Sequence, residues 1–268
     1  MQRTDFRCRQ CVFTLIPRDG YFDAGQPADL NFSSVRRDLL ASIESSHFWF
    51  QPRNELMRNI LKRLIPHQCR IIELGCGTGR FLPELQTLAS SLVAVDAFEV
   101  SIQAAAERRT TAVLVRGDIN AVPVDDGTFD AAVSMDVLEH VEPIPFLQEA
   151  RRIVRDNGWL VLSVPASPGL WSRVDEAAGH RCRYTSAKLL KELNETGWKL
   201  YGSSHYQCLL YPLMVISRIF IKGNSGIEQH PPRILNTFLG AINAFEVKAF
   251  SHTRLPWGST LIAWAKKI

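Results

Sequence analysis

Glu73-Leu74-Gly75-Cys76-Gly77-Thr78-Gly79 closes the apolar run 70–74. Glycines at alternate positions let a chain turn sharply and approach a ligand closely, because no Cβ stands in the way. A helix that begins after such a loop presents unpaired backbone N–H groups. The stretch therefore reads as strand, loop and helix start, a cradle for a nucleotide-derived cofactor. The plainer alternative is a tight strand-to-helix turn that binds nothing.

Outward from this loop, short apolar runs alternate with longer amphipathic ones. Strands are predicted at 70–74, 92–95, 112–115, 129–134 and 159–164, with Gly158 as a turn before the last of these. The stretches 80–89, 100–109 and 144–154 are long enough for crossover helices. This rhythm predicts an α/β fold, a Rossmann-like and mainly parallel sheet with helices on both faces. A helix is expected at 186–196 with Gly197 as its stop, then a sixth strand at 198–206 and a seventh at 259–265. The expected sheet is thus seven-stranded.

Residues 1–32 read as irregular, punctuated by Pro17, Gly20, Gly25 and Pro27. Helices are expected at 33–45 and 54–64, with the aromatic cluster His47-Phe48-Trp49-Phe50 between them. The division is an N-terminal cap over 1–46 and a main domain over 47–268, with 207–256 as a helical insertion before the last strand. In that insertion Ile234, Leu235, Phe238, Leu239, Ile242 and Phe245 are spaced as one helix face. Together with the run 209–216 they could cap a cleft, dock on a membrane surface or pack on the core.

Three further features lie where strands end, the place where open α/β sheets bind ligands. Asp96 ends the second strand 21 residues after Gly75, close to the roughly 20 expected of an acid that binds ribose hydroxyls. Gly117-Asp118-Ile119 follows the third strand, where an Asp can accept from an adenine amino group. Met135-Asp136-Val137-Leu138-Glu139-His140-Val141 follows the fourth.

With these residues in place, the stretch from Phe48 to Tyr206 resembles the class I S-adenosylmethionine-dependent methyltransferases, above all the type 11 family. The resemblance implies S-adenosylmethionine as cofactor, its methionine part in the loop of Glu73, Gly75, Gly77 and Gly79. It implies Asp96 on both ribose hydroxyls, Asp118 with Ile119 on the adenine, and Met135 lining the methionine side by its backbone. The quinone O-methyltransferases are similar and place an arginine ahead of the first strand; Arg53 fits that position and could clamp the cofactor carboxylate.

Methyl transfer from a sulfonium is an in-line displacement that asks mainly for positioning, with a base if the acceptor is a hydroxyl. His140 is the first candidate for a base or orienting group. If a helix starts after the fourth strand, Asp136 and Glu139 share one of its faces. Some relatives bind magnesium through Glu-x-x-Glu-His, which Asp136, Glu139 and His140 approach; no metal is assigned. His180, in Gly179-His180-Arg181-Cys182-Arg183-Tyr184-Thr185, is the second catalytic candidate. That stretch is similar to one in bacterial methyltransferases of glycan and lipid gene clusters, with Cys182 where an arginine is common. A loop that merely ties itself to the next helix cap is the alternative.

The acceptor is therefore expected to be a small molecule or lipid-linked, methylated at oxygen. The rivals are a non-catalytic cofactor-binding scaffold and a dinucleotide-dependent oxidoreductase, whose GxGxxG loop this GxGxG does not match. A nucleic acid partner is not expected, since no recognition module is visible and the net charge over 268 residues is +4. The charge is unevenly placed. From Gln207 onward Arg218, Lys222, Arg233, Lys248, Arg254, Lys266 and Lys267 face only Glu228 and Glu246. Such a basic surplus suits peripheral contact with anionic lipid through 208–256. The polar start predicts no signal peptide, and no apolar run reaches the roughly 18–20 residues of a membrane span. Reduced cysteines and a cytoplasmic protein, peripheral at the inner membrane face, are the expectation. Cys8 and Cys11 form a lone CxxC, half of a zinc ribbon and no more.

Overall fold

The predicted alternation is realised as one mixed sheet. The computed structural model describes residues 15–25, 47–220, 231–250 and 252–268, and of 217–220 the backbone alone. Among the described residues are nine strands: β1 (Ile16–Arg18), β2 (Tyr21–Asp23), β3 (Cys69–Leu74), β4 (Ala89–Asp96), β5 (Val113–Arg116), β6 (Phe129–Met135), β7 (Val154–Pro165), β8 (Trp198–Tyr206) and β9 (Thr260–Lys267). Their order is β1-β2-β5-β4-β3-β6-β7-β9-β8. Strands β3 to β7 are parallel, and β9 lies antiparallel between β7 and β8.

Adjacent Ile71 and Ile72 are both fully buried, although neighbouring side chains of a strand point to opposite faces. The central strands are thus covered on both sides, which is why they read as continuous apolar runs. On one face Ile72, Leu74, Val93 and Val95 pack with Phe146 and Leu147 of α4 (Pro143–Ile153) and Leu189 and Leu193 of α6 (Ser186–Glu195). On the other, Ile71, Leu92 and Val133 pack with Met57, Ile60 and Leu61 of α1 (Phe50–Leu64), Leu85 of α2 (Leu82–Gln86), Ile102 of α3 (Glu99–Ala106) and Val247 of α8 (Arg233–Phe250). Two further helices, α5 (Arg173–Ala178) and α7 (Tyr211–Phe220), lie outside these layers.

Several expectations are corrected. Residues 16–23 are not irregular: Ile16 pairs with Asp23 across a hairpin whose Asp19-Gly20 turn uses φ +84° at the glycine, and Phe22 pairs with Val115 at the sheet edge. These two short strands make the count nine where seven were expected. Gly158 is not a turn residue but lies inside β7, where a Cβ would fall 2.8 Å from the Asp130 carbonyl oxygen of β6. The positive φ belongs to Asn157. The insertion is helical as expected. Yet Leu213 and Ile216 of α7 and Phe238 and Phe245 of α8 are exposed rather than packed on the core. The helix expected at 33–45 and the pair Cys8 and Cys11 lie outside the described residues, as do most of the cap 1–46 and Lys222. The side chain of Arg218 is likewise not described.

Candidate active site

The glycine loop leaves β3 and turns back at once toward β4, its Gly75 and Cys76 N–H groups donating to the Val95 carbonyl at 2.8 and 3.1 Å. Gly75 has φ +77°, and a Cβ on it would stand 2.4 Å from Val137 Cγ2, so the loop packs directly on the segment after β6. Gly77 differs. Its φ is +53°, yet a Cβ there would meet nothing within 4 Å. Glycine at that position faces open space, as a ligand cradle requires.

Asp96, at the end of β4, is buried and organises this cradle. Its Oδ2 accepts from the Gly77 N–H at 2.8 Å and its Oδ1 from the Phe98 N–H at 2.9 Å. Both oxygens of the carboxylate are thus oriented by backbone N–H groups of the loop and of the segment that enters α3. Asp118 follows β5, its Oδ1 receiving the Asn120 N–H at 2.8 Å, with Ile119 buried beside it. Glu73 is buried on β3, and Met135 lines the end of β6. Gly75, Gly77, Gly79, Asp96, Asp118, Ile119 and Met135 thus all lie at the carboxyl ends of β3 to β6. There the strand order reverses, the switch point where such sheets bind ligands. The residues present fit a nucleoside-bearing cofactor.

Arg53 arrives from α1. It is 6% exposed, stacks over Trp49 at 4.1 Å and pairs with Asp136. Asp136 does not share a helix face with Glu139: the segment after β6 is a turn, in which Asp136 has φ +56° and the His140 N–H donates to the Val137 carbonyl at 2.9 Å. Its carboxylate also accepts from Ser163 Oγ at 3.1 Å. A backbone in that conformation sends Asp136 toward Arg53 and β7, away from Glu139.

Glu139 instead meets His180. The two catalytic candidates, His140 and His180, stand edge to face with ring centres 4.9 Å apart. His180 Nε2 lies 4.0 Å from Glu139 Oε1, and the donor atoms of Glu139, His140 and His180 lie within 4.8 Å of one another. Burial pushes the Glu139 carboxyl up to about 8, and neither of its oxygens has a hydrogen-bond partner. These three side chains could share a proton or hold a metal ion.

Sequence reasoning missed Asp175, which fixes this cluster. It is 1% exposed and sits in the capping box that Ser172 forms at the start of α5. Its Oδ1 is 2.9 Å from His180 Nδ1 and accepts from Arg183 Nε at 2.8 Å. Burial raises its pKa, but the hydrogen bond from His180 and the Arg183 charge outweigh that and hold it at about 2. An ionised carboxylate can only accept, so Nδ1 of His180 donates to Asp175 and Nε2 faces Glu139 and His140. Through His180 the loop ties back to the capping box of the preceding α5 rather than to the next helix, and that tie aims His180. Cys182, where an arginine was looked for, contacts Lys188 Nζ at 2.9 Å instead. Ser172-x-x-Asp175 was visible as a capping signal, but nothing in it announced the second role.

The fold and this arrangement define a class: a Rossmann-like domain with a glycine loop and an acid at the switch point of its sheet. Comparison agrees. The family described as a methyltransferase domain matches residues 72–162. The malonyl-[acyl-carrier protein] O-methyltransferase of Erwinia pyrifoliae is 28% identical over 136 residues, 46% of this chain and 52% of that protein. The mitochondrial ubiquinone biosynthesis O-methyltransferase of Schizosaccharomyces pombe is 35% identical over 101 residues, 35% of this chain and 37% of that one. Matches to curated relatives span from 29% to 67% of those proteins' own length. A solved S-adenosylmethionine-dependent methyltransferase from Mesorhizobium loti superposes with a TM-score of 0.55 at 17% identity, over 84% of this chain and all of that one, a likeness of fold. The chain carries a class I S-adenosylmethionine-dependent methyltransferase domain, and the methyl donor of that family is S-adenosylmethionine.

Proposed function

We propose that this chain transfers a methyl group from S-adenosylmethionine to a small-molecule or lipid-linked acceptor, at oxygen. The observation that carries the reading is the open position at Gly77 beside Asp96, with the Glu139–His140–His180 cluster on the other side of β3 in the sheet order. When bound, the cofactor supplies a methyl on a positively charged sulfur. In this reading the glycine loop holds its methionine part, Asp96 its ribose, and Asp118 with Ile119 its adenine. Met135 borders the methionine by its backbone. Arg53, held beside Asp136, is the residue that meets the cofactor carboxylate in this reading. His180, its tautomer set by Asp175, takes the proton of an acceptor hydroxyl at Nε2, and His140 orients that hydroxyl.

The oxygen acceptor is supported by two relatives whose names specify O-methylation. A lipid-linked acceptor is supported by the exposed apolar side chains of 208–256, which also favour a cytoplasmic protein held peripherally at a membrane. Among the described residues no helix is long and apolar enough to cross one. The test is titration calorimetry with S-adenosylhomocysteine and, separately, NADH, followed by labelled methyl transfer to a panel of hydroxylated quinones, lipid-linked sugars and acyl carboxylates. Binding of S-adenosylhomocysteine alone and label in one acceptor class are expected. Heat from NADH, or none from S-adenosylhomocysteine, overturns the reading.

A further inference from the structure

Helix α8 is turned inside out. Its inward face carries Asn243 and Glu246, exposed by 0% and 2%, beside Leu239 and Val247. These polar groups have backbone partners: Asn243 Nδ2 donates to the Phe48 carbonyl at 3.4 Å, and Glu246 Oε2 accepts from the Leu209 N–H at 2.7 Å. Asn236 Oδ1 accepts from the Phe48 N–H at 2.9 Å. The outward face carries Ile234, Phe238 and Phe245, exposed by 88%, 62% and 61%. With Ala241 they fall at i, i+4, i+7 and i+11, one stripe along the helix. A soluble helix that only packs on its core has the opposite arrangement.

The charges on this helix say what covers the stripe. Arg233 and Lys248 stand exposed toward its two ends, and Glu246, its one acid, is buried. The outer face is therefore apolar and cationic, with no exposed carboxylate. A second copy would fit it poorly, since a two-fold antiparallel pairing sets Arg233 of one helix beside Lys248 of the other. An anionic bilayer surface satisfies both features: the rings enter the headgroup and acyl boundary and the cations meet lipid phosphate or carboxylate. We propose that α8 docks this protein on anionic membrane surfaces through Ile234, Phe238 and Phe245, flanked by Arg233 and Lys248. The inference rests on the reading of a lipid-linked acceptor, although binding itself requires no methyl transfer. Its inner face places the docked helix next to the site: α8 holds Phe48, and the neighbouring Trp49 stacks on Arg53.

The test is co-sedimentation of the full chain with vesicles of phosphatidylcholine alone or mixed with phosphatidylglycerol, at low and high salt. A Phe238→Ser/Phe245→Ser variant and an Arg233→Gln/Lys248→Gln variant are compared with the parent. Thermal melts and S-adenosylhomocysteine binding of the same preparations report the fold and the methyltransferase reading separately. Partition onto the anionic vesicles is expected, at least tenfold weaker in the serine variant. Each lost cation should weaken it about fivefold, with the remainder falling at high salt. Equal partition onto both vesicle types, or an unchanged serine variant, overturns the proposal. So does a parent chain that ignores vesicles and is dimeric by light scattering until the serine changes make it monomeric, which assigns the stripe to a second copy.

Discussion

Glu139→Gln isolates the electrostatics of the Glu139–His140–His180 cluster. The Glu139 side chain is 1% exposed, its oxygens lack hydrogen-bond partners, and burial raises it from 4.5 to about 8. In the unfolded chain the same group titrates near the ordinary glutamate value. Between those two pH values the folded protein keeps a proton that the unfolded chain has released, so stability falls as pH rises. Above the folded pKa both states are ionised and the penalty is complete, about 5 kcal/mol at most, since each pKa unit corresponds to about 1.4 kcal/mol. Glutamine has the same shape and does not titrate. The variant should match the parent in acid, gain on it steadily through the neutral range, and hold a constant advantage in base. Denaturant melts at about pH 5, 6.5 and 8.5 would show the gap opening. A gap that is constant across this range refutes the reasoning, because the stability change would then owe nothing to the proton. A variant less stable at every pH refutes it as well, since that is what losing a cation-held carboxylate produces. Added magnesium or chelator should leave the parent's midpoint where it is.

Asp96→Asn sets an NH₂ group against the N–H of Gly77 or Phe98 and removes the charge from the ribose site. It should cost about 1.5–3 kcal/mol of S-adenosylhomocysteine affinity, tenfold or more by calorimetry, in a protein that still melts cooperatively. Gly77→Val projects a branched side chain into the open space of the cradle from a left-handed backbone, and should abolish cofactor binding; normal affinity would make the loop a simple turn. Asp175→Asn withdraws the acceptor shared by His180 and Arg183. Because Asp175 is held at about 2, its contribution of about 2 kcal/mol is present above the unfolded pKa near 4 and lost as pH falls toward 2. The variant should therefore be destabilised at neutral pH, and turnover should fall at unchanged cofactor affinity. Cofactor binding that falls in step with turnover would deny Asp175 its positioning role.

The two halves of the site differed in how much of them could be read beforehand, and the difference is one of contact range. Gly75, Gly77, Asp96, Asp118 and Met135 lie at or just past strand ends, so the local pattern picked out their segments together and the resemblance implied their roles. The rest of the candidate site is assembled from distant segments. Arg53 finds Asp136 across 83 residues. His180 finds Glu139 only because Asp175, a capping residue by its local pattern, also holds an imidazole. A positive φ at Asp136 removed it from the helix face that the spacing with Glu139 implied. The β1–β2 hairpin, three residues a side, was too short for any periodicity, although Asp19-Gly20 is the turn dipeptide that could have signalled it. Helix α8 carries the same lesson to packing. Its period grouped Leu239 with Ile234, Phe238 and Phe245 on one face, yet Leu239 is buried while the other three are exposed, because which side turns inward depends on partners the pattern cannot contain. Asn243 and Glu246 face inward because a carbonyl at Phe48 and an N–H at Leu209 are waiting there. Those bonds satisfy part of each group, Asn243 Oδ1 and Glu246 Oε1 staying buried without a partner, and they seat α8 with Ile234, Phe238 and Phe245 outward. An exposed stripe that is forced in this way calls for a cover, and its two unopposed cations select an anionic one.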